Sequence, residues 1–233
     1  MASDVKAHRG LTTVRVVDAA LRAADEGGID AVSLRRLAAA LDVTPMAIYR
    51  HVRNKSHLLD LMAERLLEQV DLATDELATW QDRLRRLLGS YQAVVAAHPA
   101  APLLLSRPFV APAAPRTAEA LLAILHSAGF DAGQSVRLFE VISGMLLGPA
   151  IHRATWAAAE RDRPGDANRQ QASTDELSAD EFPYLSSVAE FMDWSPGANA
   201  DRLTIELMVG GLETIADQPD GGRLARRRPV RRR

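Results

Sequence analysis

Through most of the chain apolar residues return every three or four positions, the period of a helix, and no stretch alternates as a strand would. In TTVRVVDAALRAADEG (12–27), Val14, Val17, Ala20, Leu21 and Ala24 fall on one side. Thr12 or Thr13 caps the start, and Gly27-Gly28 ends the helix. SLRRLAAAL (33–41) makes a shorter helix, with Ser33 as N-cap and Leu34, Leu37, Ala38 and Leu41 as the buried stripe. Asp42-Val43-Thr44 interrupts the pattern. Thr44 then caps a third helix with Pro45 at its first position, where a missing N–H costs nothing, and this helix ends near Val52. Asn54 opens a fourth, running through HLLDLMAERLLEQV to residue 70.

The periodicity continues to residue 215. Trp80 to about Ala97 is amphipathic and is ended by His98-Pro99. The Pro/Ala-rich stretch 99–115 has room for a short helix around Leu103–Arg107. Arg116–Ala128 stops at Gly129. Gln134 to about Arg161 is the longest helix. Its Val136, Leu138, Phe139, Val141, Ile142, Met145, Leu146, Leu147 and Ile151 point almost all round, as in a helix held between neighbours, and Gly148-Pro149 is expected to kink it. Residues 162–179 are polar and read as a mobile loop; Ala179–Met192 and Ala200–Ile215 are the last helices. The fold class is all-α.

Composition narrows this picture. An apolar content of 47% over 233 residues is enough for a real core, and the scarcity of aromatics (5%) beside abundant Ala and Leu favours long helices over sandwiches. There is no cysteine, which excludes disulfides and thiolate metal sites. The start MASDVKAHRG lacks the apolar core of a secretory leader, and the longest nearly apolar run, VISGMLLGPAI (141–151), is too short to span a bilayer. A cytoplasmic protein with no membrane contact is the expectation. The net charge of −2 conceals a partition. Residues 1–60 carry nine Lys/Arg and seven Asp/Glu, 61–222 carry twelve and twenty-three, and 223–233 carry seven arginines and no acid. A mildly basic front on an acidic body fits a DNA-binding head whose body stays off the DNA. The arginine-rich tail, RLARRRPVRRR, reads as disordered.

A short helix, a three-residue turn and a second short helix, held by a longer helix before them, describe a helix-turn-helix whose second helix enters the major groove. The stretch TPMAIYRHVRNKSHLL (44–59) then acquires a purpose. Ile48 and Val52 face inward with Leu37 and Leu41. Thr44, Pro45, Met46 and Ala47 form the end that points at base edges. Tyr49 and Arg50 lie on the exposed side. His51, Arg53 and Lys55 sit where phosphates pass, and the helix start at Asn54–Ser56 adds backbone N–H donors. Ser33, Arg35 and Arg36, at the start of the preceding helix, complete the set. Taken singly, Tyr49, His51 and Lys55 describe a solvated helix end; together after this turn they describe a DNA grip.

The stretch SLRRLAAALDVTPMAIYRHVRNKSHLLDLM resembles the DNA-binding domain of the tetracycline-repressor (TetR) family, most specifically in YRHVRNKSHLL. The likeness covers residues 11–65 and extends weakly to ELSADEFPYLSSVAEF and ADRLTIELMVGGLETIA, which are similar to the last helices of the family's ligand domains. The resemblance implies that Tyr49 meets DNA backbone or a thymine methyl, that His51 and Lys55 hold phosphates, that Arg35 is the first candidate to read a base, and that Thr44, Pro45 and Met46 tune sequence choice. Arg50 departs from the family pattern. Pro45-Met46 offers few hydrogen bonds and suits thymine methyls.

The division that follows is a helix-turn-helix domain over 1–53, a helical ligand-binding and dimerisation domain over 54–217 with 54–70 as connector, and the tail 218–233. The expected partners are a near-palindromic operator in double-stranded DNA, a small and largely hydrophobic effector that releases it, and a second copy of the chain. Candidate effector contacts are His98, Leu104, Phe109, Met145 and His152. Candidate dimer contacts are Val136, Phe139, Leu146, Leu203, Leu207 and Gly210, with the long helix and the last helix as the dimer surface the resemblance implies. No cofactor is expected. His98, His126 and His152 are isolated and lack metal-ligand spacing, so no metal site is expected either. Two other readings remain: a DNA-binding protein that ignores ligands, and a helical enzyme. For the enzyme the sequence supplies no paired acids, nucleophile elbow or phosphate loop.

Overall fold

The computed structural model describes residues 10–108, 112–165, 178–189 and 199–218. Among these the elements are α1 (Thr13–Gly27), a 3₁₀ turn (Ile29–Ala31), α2 (Leu34–Ala40), α3 (Pro45–Tyr49), α4 (Lys55–Leu67), α5 (Trp80–Ala97), α6 (Ala101–Leu105), α7 (Ala113–Ser127), α8 (Ala132–Asp162), α9 (Pro183–Val188) and α10 (Asn199–Ala216).

Local chemistry starts most of these helices. The side chains of Thr12, Ser33, Thr44, Asn54 and Thr79 accept from the backbone N–H three residues on, at 2.8–3.3 Å. Asp131 and Gln134 cap α8 reciprocally, each bond 2.8 Å. Their stops are equally local. At the end of α7, Gly129 (φ 92°) reverses the chain while Phe130 N–H reaches back to Leu125 O and Gly129 N–H to His126 O. The helix-turn-helix turn repeats this geometry without glycine: Val43 N–H bonds to Ala38 O and Asp42 N–H to Ala39 O, and Asp42 takes φ 52°. Aspartate tolerates this left-handed region; a β-branched side chain does not. Asp42→Val is expected to lower unfolding free energy by about 1–2 kcal/mol, and Asp42→Gly to leave it nearly unchanged, in chemical denaturation.

One continuous core runs from Val16 of α1 to Leu212 of α10. Helix α4 is its spine: Leu58, Met62, Ala63 and Leu66 have no exposed surface. Polar ties on both sides fix the helix. Asp18 of α1 pairs with Arg65 at 3.2 Å, Asp60 pairs with Arg107 at 2.7 Å, and Ser56 Oγ accepts from Arg107 at 3.3 Å. Glu64 accepts the Ala113 N–H at the start of α7 at 2.8 and 3.0 Å. Head and body also meet where Asp25 of α1 accepts from His98 Nδ1 (2.8 Å) and from the Ala100 N–H (3.1 Å).

Helix α8 runs unbroken from Ala132 to Asp162 with Pro149 inside it. Helix α10 lies against α5 and α8, held to α5 by Arg85–Glu206 (3.1 Å) and Gln81–Glu213 (2.8 Å). The penultimate helix begins at Pro183, four residues after the expected Ala179, and its expected end at Met192 lies outside the described residues. Of the loop expected over 162–179, residues 166–177 lie outside the described residues, as does the tail expected over 218–233 beyond its first residue.

Candidate functional site

Two features stand at opposite ends of α4: a cationic face at its N-terminus and an apolar cavity at its C-terminus.

The face is built by α2, α3 and the first turn of α4. Ile48 and Val52 are buried with Leu37, which turns Met46 (67% exposed) and Tyr49 (52% exposed) outward. Pro45, Arg35, Arg36, Arg50, Arg53 and Lys55 are exposed beside them. None of these five cations has an ion-pair or hydrogen-bond partner for its side chain among the described residues, whereas Arg65, Arg85, Arg86 and Arg107 of the body each hold a carboxylate. Unpaired cations on one face are free to neutralise phosphates. Four of the candidate residues are partly or wholly withheld from DNA, Ser33 and Thr44 by the capping their sequence predicts. Ala47 is buried and cannot present itself to a base. His51 is half-buried with its Nδ1 hydrogen-bonded to Thr13 Oγ1 at 3.1 Å, so it ties α3 to the start of α1 and has only its other edge for a phosphate. Ser33 and Thr44 spend their side-chain oxygens on helix capping.

The cavity, about 290 Å³, lies among α4–α8 and is walled by Leu67, Leu105, Leu121, Phe139 and Leu146 among others. Its polar groups are hydroxyls: Tyr91, Thr117 and Ser143. Burial in this apolar setting pushes the Tyr91 phenol up to about 12.

Residues 16–62 match the family described as bacterial regulatory proteins, tetR family, and residues 73–215 match the tetracyclin repressor-like C-terminal domain. The chain belongs to the TetR family of transcriptional regulators. It is therefore a DNA-binding regulator. Among its relatives is the HTH-type transcriptional repressor DrrR1 of Streptomyces coeruleorubidus, 29% identical, with 91% of this chain and 80% of that protein covered. The class A tetracycline repressor from transposon 1721 of Escherichia coli is 32% identical over 84% of this chain and 88% of its own. Among solved structures, ActR of Streptomyces coelicolor in complex with actinorhodin has a TM-score of 0.69 at 25% identity, covering 87% of this chain and 95% of that one. Among the described residues no helix is long and apolar enough to cross a membrane.

Within this TetR fold several body residues lie elsewhere than the sequence reading put them. His98 turns to the head, drawn by Asp25. Leu104 is packed in the core behind the cavity, with Leu105 taking its place in the wall. Met145 and His152 face outward, His152 against Trp156 with ring centroids 6.0 Å apart. Phe109 lies outside the described residues. Of the candidate dimer contacts, Phe139 and Leu146 point into the cavity wall because they share a face of α8 with Ser143. Val136, Leu203 (60%), Leu207 (61%) and Gly210 do lie exposed on the outer face of α8 and α10. Tyr91, Thr117 and Ser143 were not among the sequence candidates. The signal for Tyr91 was present, since it falls in phase with Leu84, Leu87, Leu88 and Val95 on one side of α5.

Proposed function

We propose that this TetR-family regulator is a homodimeric repressor of a near-palindromic operator, released when a small, largely apolar effector fills the cavity. The observation that carries the reading is the position of α4. Its first residue, Lys55, stands on the cationic face, and its last, Leu67, lines the cavity. Thirteen helical residues join the two over about 20 Å. A ligand that prefers one tilt of α4 must change the spacing of two heads, and the same preference weakens DNA binding. DrrR1 is named a repressor, and ActR has been crystallised with actinorhodin, which supports the reading. This reading keeps the division into a head up to residue 53, a connector and a body to 217, and it leaves the chain without catalytic work.

Dimerisation is assigned to the outer face of α8 and α10. Val136, Val141 and Met145 of α8 and Leu203 and Leu207 of α10 are exposed there. Among the described residues a Cβ added to Gly144, Gly148, Gly210 or Gly211 would meet nothing within 4 Å. These glycines leave the helix backbones open to close approach by a second copy. The test combines a mobility shift on DNA flanking the protein's own gene, a random-sequence selection, and sedimentation. The wild-type protein is expected to sediment as a dimer and to bind specifically and salt-sensitively. Leu207→Glu, which puts a carboxylate on each side of the two-fold axis, is expected to yield monomers with at least about a hundredfold weaker operator binding, since one head alone is left to bind. A wild-type monomer, or no DNA binding at low salt in either format, overturns the reading.

A further inference from the structure

The cavity also restricts what can enter it. Thr117 on α7, Ser143 on α8 and Tyr91 on α5 bring hydroxyls from three walls, and no other side chain among the described lining residues offers a polar group. In particular, none of those residues carries a carboxylate, an ammonium, a guanidinium or an imidazole. Thr117 gives its proton to Ala113 O at 3.2 Å and offers only lone pairs. The hydroxyls of Tyr91 and Ser143 have no hydrogen-bond partner among the described residues.

Taking the cavity as the effector site of the proposed repressor, we infer that the effector is uncharged, about the size of two fused rings, and carries a carbonyl or hydroxyl oxygen to which Tyr91 donates a hydrogen bond. Three constraints lead to this class. An ion would leave water for a wall with no countercharge, at a cost no apolar contact offsets. A pure hydrocarbon would displace water from the Tyr91 O–H and leave it unpaired, which is costly in itself. A volume of about 290 Å³ lies at the small end of the range for ligand pockets. The Tyr91 phenol, held protonated far above neutral pH by its burial, is a donor at every physiological pH. Ser143, with one proton and two lone pairs, can meet a second oxygen of either kind.

The test is calorimetric titration of the full-length protein at pH 7 with three probes on one ring system: 2-acetylnaphthalene, naphthalene and 2-naphthoate. The ketone is expected to bind tightest and the carboxylate at least about tenfold more weakly. Tyr91→Phe, which removes one oxygen and keeps the ring, is expected to weaken the ketone about three- to tenfold and to leave naphthalene within about twofold. Ala118→Leu, which narrows the cavity, is expected to weaken all three. Carboxylate binding as tight as the ketone's overturns the inferred class while the cavity stands as the site. A Tyr91→Phe protein that binds the ketone as the wild type does overturns the role given to Tyr91. Binding of none of the probes, or binding that Ala118→Leu does not touch, removes the cavity as the effector site and the inference with it.

Discussion

Replacing Tyr49 and Lys55 together by alanine is expected to weaken operator binding about a thousandfold without unfolding the protein. Both side chains are exposed on the cationic face, and neither makes a hydrogen bond or ion pair among the described residues. Their truncation should therefore move chemical stability by no more than about 0.5 kcal/mol. On DNA the loss is multiplied. Each contact contributes on the order of 1 kcal/mol, and a two-fold dimer loses both contacts in both heads, so about 4 kcal/mol disappears, close to three decades in affinity. Salt dependence separates the two residues. Lys55→Ala alone removes one phosphate neutralisation per head and should lower the slope of log affinity against log salt by about 2 for the dimer. Tyr49→Ala alone should leave that slope unchanged and fall hardest on operators with a thymine under the ring. The readout is a fluorescence-anisotropy titration across a salt series. Affinity within threefold of wild type in the double variant would place the DNA contacts elsewhere.

The parts of this molecule legible in its sequence are those decided within a few residues. Thr12, Ser33, Thr44, Asn54 and Asp131 announce helix starts because the group each one caps lies three positions on. The cationic face is legible for the same reason: its residues lie between Arg35 and Lys55, and α2 and α3 are too short to bury them. What escapes is decided across the chain. Helix α7 begins at Ala113, three residues before its periodicity predicts, because the Glu64 carboxylate arrives from α4 to take the first N–H. Helix α6 begins at Ala101, two residues before the expected Leu103, where Asp25 of the head fixes the Ala100 N–H just ahead of it. Helix α8 is apolar nearly all round, and periodicity alone does not distinguish a face that lines a cavity (Phe139, Ser143, Leu146) from one left open (Val136, Val141, Met145). For His98, the deciding partner is seventy-three residues away in sequence.

Arg107→Ala is expected to leave DNA binding intact and to weaken its release by the effector. Arg107 follows α6, whose Leu105 lines the cavity, and its guanidinium holds Asp60 and Ser56 of α4. On the proposed mechanism, an effector that displaces Leu105 would pass the displacement through this ion pair to the first two turns of α4, next to Lys55. The Glu64–Ala113 bond is a parallel tie one turn on, from the helix that supplies Thr117 to the same cavity. Both partners of the ion pair are roughly three-quarters covered, so removing the guanidinium leaves a carboxylate short of water and should lower stability by about 1–3 kcal/mol. Coupling between effector and operator in such systems amounts to about 1–3 kcal/mol, and losing one of two ties should reduce the effector's influence on operator affinity about tenfold. Affinity measured without effector should stay within about threefold. Reciprocity gives the same number from the other side: operator DNA should weaken effector binding about tenfold less in the variant than in the wild type. Asp60→Ala should reproduce the effect, and the double variant should be no worse than either alone, because both remove one tie. Asp18→Ala, which breaks the more exposed pair with Arg65 on the opposite side of α4, should leave induction unchanged. Full induction in Arg107→Ala would show that the effector acts through another route, and the end of α8 is the next to test, where Arg161 approaches the Gly28 turn of the head.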